Sequence, residues 1–169
     1  GPLHPSPDGR FVVAYALKPA PPHTVTMVES SPPDQVQPRT HTFNYLKPGD
    51  DIDIRIPLLI DVSTRQRIPI DNALFPTPWS LSGLEWNRDG SGFTFLYNQR
   101  GHQVMRLLHV DASTGAVRAI VSEECPTFFD YTNKTFIHRL HDTSELIWMS
   151  ERDGWNHLYL YDVASGTVK

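Results

Sequence analysis

The chain has 169 residues, 39% of them hydrophobic, which is enough to bury an ordinary core and too many for a wholly disordered polymer. Its net charge of -4 removes the basic surface that phosphate binding needs, so nucleic acid is not an expected partner. No stretch approaches the roughly 20 consecutive apolar residues that span a bilayer, and the first residues lack the charged-then-apolar layout of a signal peptide.

Fifteen prolines and ten glycines fall mostly between apolar runs, which predicts many short elements joined by turns. The first is a turn at Pro7-Asp8-Gly9 followed by the strand-forming run FVVAYAL. Residues 18–53 are rich in proline and read as an insertion, with one short strand over 25–29. LLIDVSTRQRIPI from Leu58 then reads as a strand, an Asp with a polar turn, and a second strand. Further strands are expected over 82–86, 93–98, 104–110 and 116–121. The next set covers 128–131, 146–150 and 157–162, with another strand starting at Thr167.

Three segments end alike: LLIDVSTRQRIPI, LLHVDASTGAVRAI from Leu107 and LYLYDVASGTVK from Leu158. Their equivalent aspartates, Asp61, Asp111 and Asp162, stand about 50 residues apart, the period of propeller blades or a solenoid. Four short antiparallel strands per repeat make a blade. Runs such as TFLY and LIWM are apolar at successive positions, so both faces of each sheet need cover.

The expected fold is therefore all-β, a partial β-propeller of about three four-stranded antiparallel blades in a single domain over 1–169. The first, irregular blade takes 1–70 with its insertion at 18–53, the second 79–121, and a truncated third 127–169. Three blades do not close a ring, so the chain reads as a fragment, and self-association through open blade edges is expected.

The motifs that could carry chemistry are weak. No G-x-S-x-G elbow occurs, and neither Ser91 in the DGSG turn nor Ser82 has the setting of a nucleophile. His138 and His141 form HxxH, but strand geometry sends such a pair to opposite faces. Asp50, Asp51 and Asp53 lack the Gly bend and distal acid of a calcium loop. Glu123 and Glu124, beside Cys125 and Pro126, read as a charged connection with a lesser reading as an amine site. Trp79, Trp86, Trp148 and Trp155 read as blade core and rim, and Asn98, Gln99 and Arg100 as a polar hairpin or as hydrogen-bonding groups between blades or into a central channel. Asn133-Lys134-Thr135 fits a glycosylation acceptor, a pattern that arises often by chance. Cys125 is the only cysteine, so no disulfide forms within the chain. No residue is assigned a catalytic, cofactor-binding or metal-binding role, and no cofactor is expected.

SERDGWNHLYLYD, from Ser150 to Asp162, resembles the late-blade signature of the dipeptidyl peptidase IV group within the prolyl oligopeptidase family. YLKPGD from Tyr45 resembles that group's Tyr-Pro-Lys-Ala-Gly-Asp segment, with Leu46 for its proline and Pro48 for its alanine. LEWNRDGSGFTFLYNQRGHQ from Leu84 resembles its Trp-x-x-Asp-Gly and Asn-Arg-x-Gln pattern. The resemblance implies a β-propeller that, in the parent serine peptidase, restricts access to a separate α/β-hydrolase domain and helps hold a peptide substrate. It also implies a periplasmic or extracellular setting. The group's paired amine-binding glutamates lie in an earlier blade, so Glu123 and Glu124 do not inherit that role. The catalytic triad is expected beyond Lys169. The alternative is a stand-alone interaction module of the WD-repeat or TolB kind, which turn chemistry and period alone do not exclude.

Overall fold

The computed structural model describes Gly1–Lys169, and its regular structure is entirely β-strand. No helix is long and apolar enough to cross a membrane. The chain forms two compact units, one made of Gly1–Ala16 with Arg55–Lys169 and the other of Leu17–Ile54.

The larger unit carries three four-stranded antiparallel sheets. Sheet 1 is built from β1 (His4–Pro5), β2 (Phe11–Lys18), β5 (Ile54–Asp61) and β6 (Gln66–Ile68), in that spatial order. The smaller unit holds β3 (Thr24–Glu29) and β4 (Arg39–Asn44), paired only with each other. Sheet 2 is the meander β7 (Pro78–Trp86), β8 (Gly92–Gln99), β9 (Val104–Asp111) and β10 (Val117–Glu124). Sheet 3 is the meander β11 (Ile137–Leu140), β12 (Glu145–Ser150), β13 (His157–Asp162) and β14 (Thr167–Val168).

Sheet 2 is covered on both faces, which explains its run of apolar residues without alternation. Phe93, Phe95, Tyr97, Leu108 and Val110 pack with Phe11, Val13 and Leu59 of sheet 1. Met105, Leu107, Ile120 and Val121 pack with Leu146, Trp148 and Tyr161 of sheet 3. Face-to-face stacking of short meanders is the way propeller blades bury their surfaces.

The repeated aspartate sets each outer hairpin. Asp111 Oδ1 accepts from the Ser113 amide at 2.9 Å, the Ser113 hydroxyl at 2.6 Å and the Thr114 amide at 2.9 Å. Asp61 does the same with Ser63 and Thr64, and Asp162 with Ser165. A side-chain oxygen that satisfies turn amides stabilises the turn before the strands pair, which is why the motif recurs.

Two segments differ from the sequence expectation. Residues 128–131 are not a strand, and β11 starts later, at Ile137. Phe128 and Phe129 resemble strand residues in type, but the Phe129 amide bonds the His102 carbonyl at 2.8 Å in a connection between sheets. The 18–53 stretch contains a second strand as well as the expected one, because Arg39–Asn44 pairs residue for residue with Thr24–Glu29.

Candidate functional site

Sheet 2 presents its β8–β9 turn at the same end as the connection from β10 to β11. Gln99 and His102 close the turn through an amide-to-carbonyl bond of 2.8 Å, and His102 adopts a left-handed φ of 56°. Its ring is held from below: Nδ1 donates to Oδ1 of the buried Asn98 at 3.0 Å. The connection is sewn to this turn by Cys125 N to Gln103 O at 2.9 Å and Gln103 Nε2 to Pro126 O at 3.0 Å.

The result is an aromatic group centred on His102. Tyr131 stacks on its ring at 4.4 Å, while Phe128 and Trp79 meet it edge-on at 5.5 and 5.3 Å. Burial holds the His102 imidazole below its ordinary pKa, which favours the neutral ring. Trp79 and Phe128 remain 47% and 53% exposed, so the group offers apolar and aromatic surface to solvent. Such a surface binds and orients a ligand by stacking and apolar contact.

Beside it lies a partly buried ion pair between sheets. Glu123 of β10 takes Arg152 from the β12–β13 turn and accepts the Ser150 hydroxyl at 2.5 Å. The Arg152 guanidinium lies 4.2 Å from the Tyr159 ring centroid and donates to the Tyr161 hydroxyl. Glu124 pairs with Arg106 at 3.3 Å. Both glutamates are thus engaged by arginines of the chain itself, and the lesser reading of them as an amine site is set aside.

The other sequence candidates scatter. Ser91 donates to Asp89 at 2.6 Å within its own turn, and Ser82 sits in β7. His141 faces Glu85 at 3.3 Å while His138 lies against Phe136, so the HxxH pair does not converge. Asp50 accepts from the Lys47 amide and orders its own turn, while Asp53 accepts from the Ala20 amide and ties the two ends of the smaller unit. No three His, Cys, Asp or Glu side chains come together. Trp86 donates its Nε1 to the His4 carbonyl at 3.1 Å, Trp148 is core, and Trp155 is 75% exposed at a hairpin tip. Sequence reasoning missed His102, Phe128 and Tyr131 as a group. The available signal was the GHQ turn falling one strand pair before an aromatic-rich connection.

The sequence matches the family described as the dipeptidyl peptidase IV (DPP IV) N-terminal region over residues 5–169. The chain belongs to that family. Its fold resembles a Bacteroides ovatus protein described as a dipeptidyl aminopeptidase IV, with a TM-score of 0.66 and 22% identity. It also resembles Porphyromonas gingivalis dipeptidyl peptidase 4, with a TM-score of 0.68 and 17% identity. Each alignment covers 99% of this chain and 23% of the other. The DPP IV N-terminal fold present here is an all-β partial propeller of four-stranded antiparallel sheets.

Proposed function

We propose that this chain is a non-catalytic propeller segment of a dipeptidyl-peptidase-IV-like serine exopeptidase, and that it shapes the approach of peptide substrate to an α/β-hydrolase domain of the parent protein. In this reading each four-stranded sheet is one blade, and the Leu17–Ile54 unit is an insertion between the second and third strands of the first blade. The observation that carries it is the Trp79–His102–Phe128–Tyr131 group, a semi-exposed aromatic surface fixed by Asn98 and by backbone bonds from the connecting segment. Membership of the DPP IV N-terminal family supports the peptidase setting. It weighs against the stand-alone interaction module.

The outward face of sheet 3 supports a larger ring. Ile147, Met149, Leu158 and Leu160 lie on the side of β12 and β13 away from sheet 2, and none is fully buried. A further sheet of the parent propeller covers this face, or failing that a second copy of the chain.

The test is kinetic and uses the full-length protein. Replacing Trp79 and Phe128 together by Ala raises KM for a Gly-Pro chromogenic substrate and for a longer Xaa-Pro peptide by about tenfold, with kcat retained, as expected for loss of contacts made equally in ground and transition states. Unchanged KM for both substrates overturns the role of this surface. A parent protein without peptidase activity overturns the wider reading.

A further inference from the structure

At the other end of sheet 2, one rung of the strand ladder is polar from edge to edge. Glu85 of β7 faces Thr94 of β8, Thr94 faces His109 of β9, and His109 faces Arg118 of β10. Directly opposed residues share a face of the sheet. This face is the one turned toward sheet 3, because Arg139 of β11 crosses to bond Glu85 and donates to Thr94 Oγ1 at 2.8 Å. The neighbouring rung on the same face, Leu96 opposite Leu107, is apolar and joins the core between the two sheets.

The polar rung borders a cleft of about 460 Å3, which is also lined by the buried Leu107, Ile120 and Leu146. That volume lies within the range of small-molecule sites, and the combination of apolar lining with a few convergent polar groups is their usual make-up.

Hydrogen-bond accounting around the cleft shows which polarity of ligand it suits. The acids are already engaged. Glu85 takes Arg139 and His141, Glu145 takes Lys169 and the Thr143 hydroxyl, and Asp89 takes the Ser91 hydroxyl. Spare capacity lies with donors. Arg118 spends Nη1 on the Val163 carbonyl at 2.9 Å, which leaves most of its five N–H groups for other partners. His109 accepts at Nε2 from the Asn87 side-chain amide at 3.3 Å, which places the proton of the neutral ring on Nδ1 as a donor. Burial, with Arg118 next to it, keeps this imidazole below its ordinary pKa and hence neutral, against a smaller opposing pull from Asp111.

We propose that this cleft is a binding site for a small organic carboxylate bearing an apolar substituent, with the carboxylate on Arg118 and His109 and the substituent against Leu107, Ile120 and Leu146. A planar guanidinium fork matches a carboxylate in two-point geometry, and a charge-assisted bond of that kind exceeds a neutral one. Arg139 fixes the rung from the sheet 3 side through Glu85 and Thr94. The site uses none of the residues of the aromatic group, so it stands whether or not that group meets a peptide.

Calorimetry on the full-length protein with 3-phenylpropionate and its uncharged amide tests this directly. The acid binds saturably, the amide binds about tenfold more weakly, and Arg118→Gln weakens the acid by about the same factor, the loss typical of one charged hydrogen-bonded contact. Arg118 is exposed, so the variant folds as the parent does, which thermal melting verifies. Equal binding of acid and amide, or wild-type affinity in Arg118→Gln, overturns the proposal. A crystal soaked with the acid supplies a readout free of any substitution: the carboxylate lies against Arg118 and His109 if the assignment is right, and density only elsewhere refutes it.

Discussion

Arg65 and Gly115 occupy the same place in successive repeats, four residues after Asp61 and Asp111, and both have a left-handed backbone, with φ of 58° and 74°. Gly166 follows Asp162 in the same way, with φ of 70°. The backbone requirement is therefore shared, but the surroundings are not. A Cβ built on Gly115 stands 1.9 Å from the carbonyl oxygen of Pro69, just past β6 of the preceding sheet, and one on Gly166 stands 3.1 Å from the Ile120 carbonyl. The outer hairpins of sheets 2 and 3 are seated on the backbone of the sheet before them, and at Gly115 the seat leaves no room for a Cβ.

Substitution separates the two requirements. Gly115→Ala is expected to lose about 3 kcal/mol, combining left-handed strain of about 1 kcal/mol with the displacement of a packed backbone. Gly101→Ala, with a φ of 97° and nothing within 4 Å, bears only the first cost, about 1 kcal/mol. Arg65→Gly changes stability by less than about 1 kcal/mol, because relief of strain is offset by a more flexible unfolded chain. Urea unfolding of the three variants measures this, and equal losses in Gly115→Ala and Gly101→Ala refute the seating argument.

The Glu123–Arg152 pair predicts non-additivity. The Glu123 side chain is 10% exposed and that of Arg152 32%. Arg152→Met leaves a largely buried carboxylate with Ser150 as its remaining donor, at a cost of about 2 kcal/mol, short of the figure for a fully buried pair because Arg152 is partly solvated. Adding Glu123→Gln to that variant recovers part of the loss. A double-mutant cycle by chemical denaturation decides the matter: a double variant whose loss equals the sum of the two single losses excludes the coupling.

The repeated aspartates were legible in the sequence because each works locally, through bonds to residues two or three positions on. The strands of sheets 2 and 3 were legible for a related reason: their apolar runs are bounded by glycine turns at Gly90, Gly101 and Gly154. Arg39–Asn44 was not, since RTHTFN has no apolar stripe and its pairing depends on Thr24–Glu29 across a turn-rich connection. Phe128 to Tyr131 misled because aromatic residues favour strands, whereas Phe128 and Tyr131 here pack on His102 of the β8–β9 turn, which also meets Trp79 of β7. The polar rung of Glu85, Thr94, His109 and Arg118 was invisible for the same physical reason: it is a property of register across four strands, and single-sequence patterning carries no register.

The turn aspartates also set how the fold responds to acid. Asp61 and Asp111 are held below the ordinary value of 3.8 chiefly by the Ser63 and Ser113 hydroxyls, and Asp162 by the Ser165 amide and then its hydroxyl. With the folded pKa below the unfolded one, the unfolded chain binds more protons as the pH drops, so stability rises with pH across that window. The contribution is complete above about pH 5, where both states are ionised, and is lost as the pH falls through the lowered folded values. His109, also lowered, acts in the same sense nearer neutrality, between its folded value and the unfolded value of 6.5. Asp111→Asn isolates one aspartate, because an amide oxygen still accepts from Ser113 and Thr114 but does not titrate. The variant is expected to be less stable than the parent at neutral pH and to converge with it below about pH 3, where protonation of Asp111 also removes its pull on His109. Unfolding midpoints measured for both proteins across the acid range give the answer, and two curves that stay parallel from pH 7 down to about pH 2.5 rule out a stabilising role for the ionised Asp111 carboxylate.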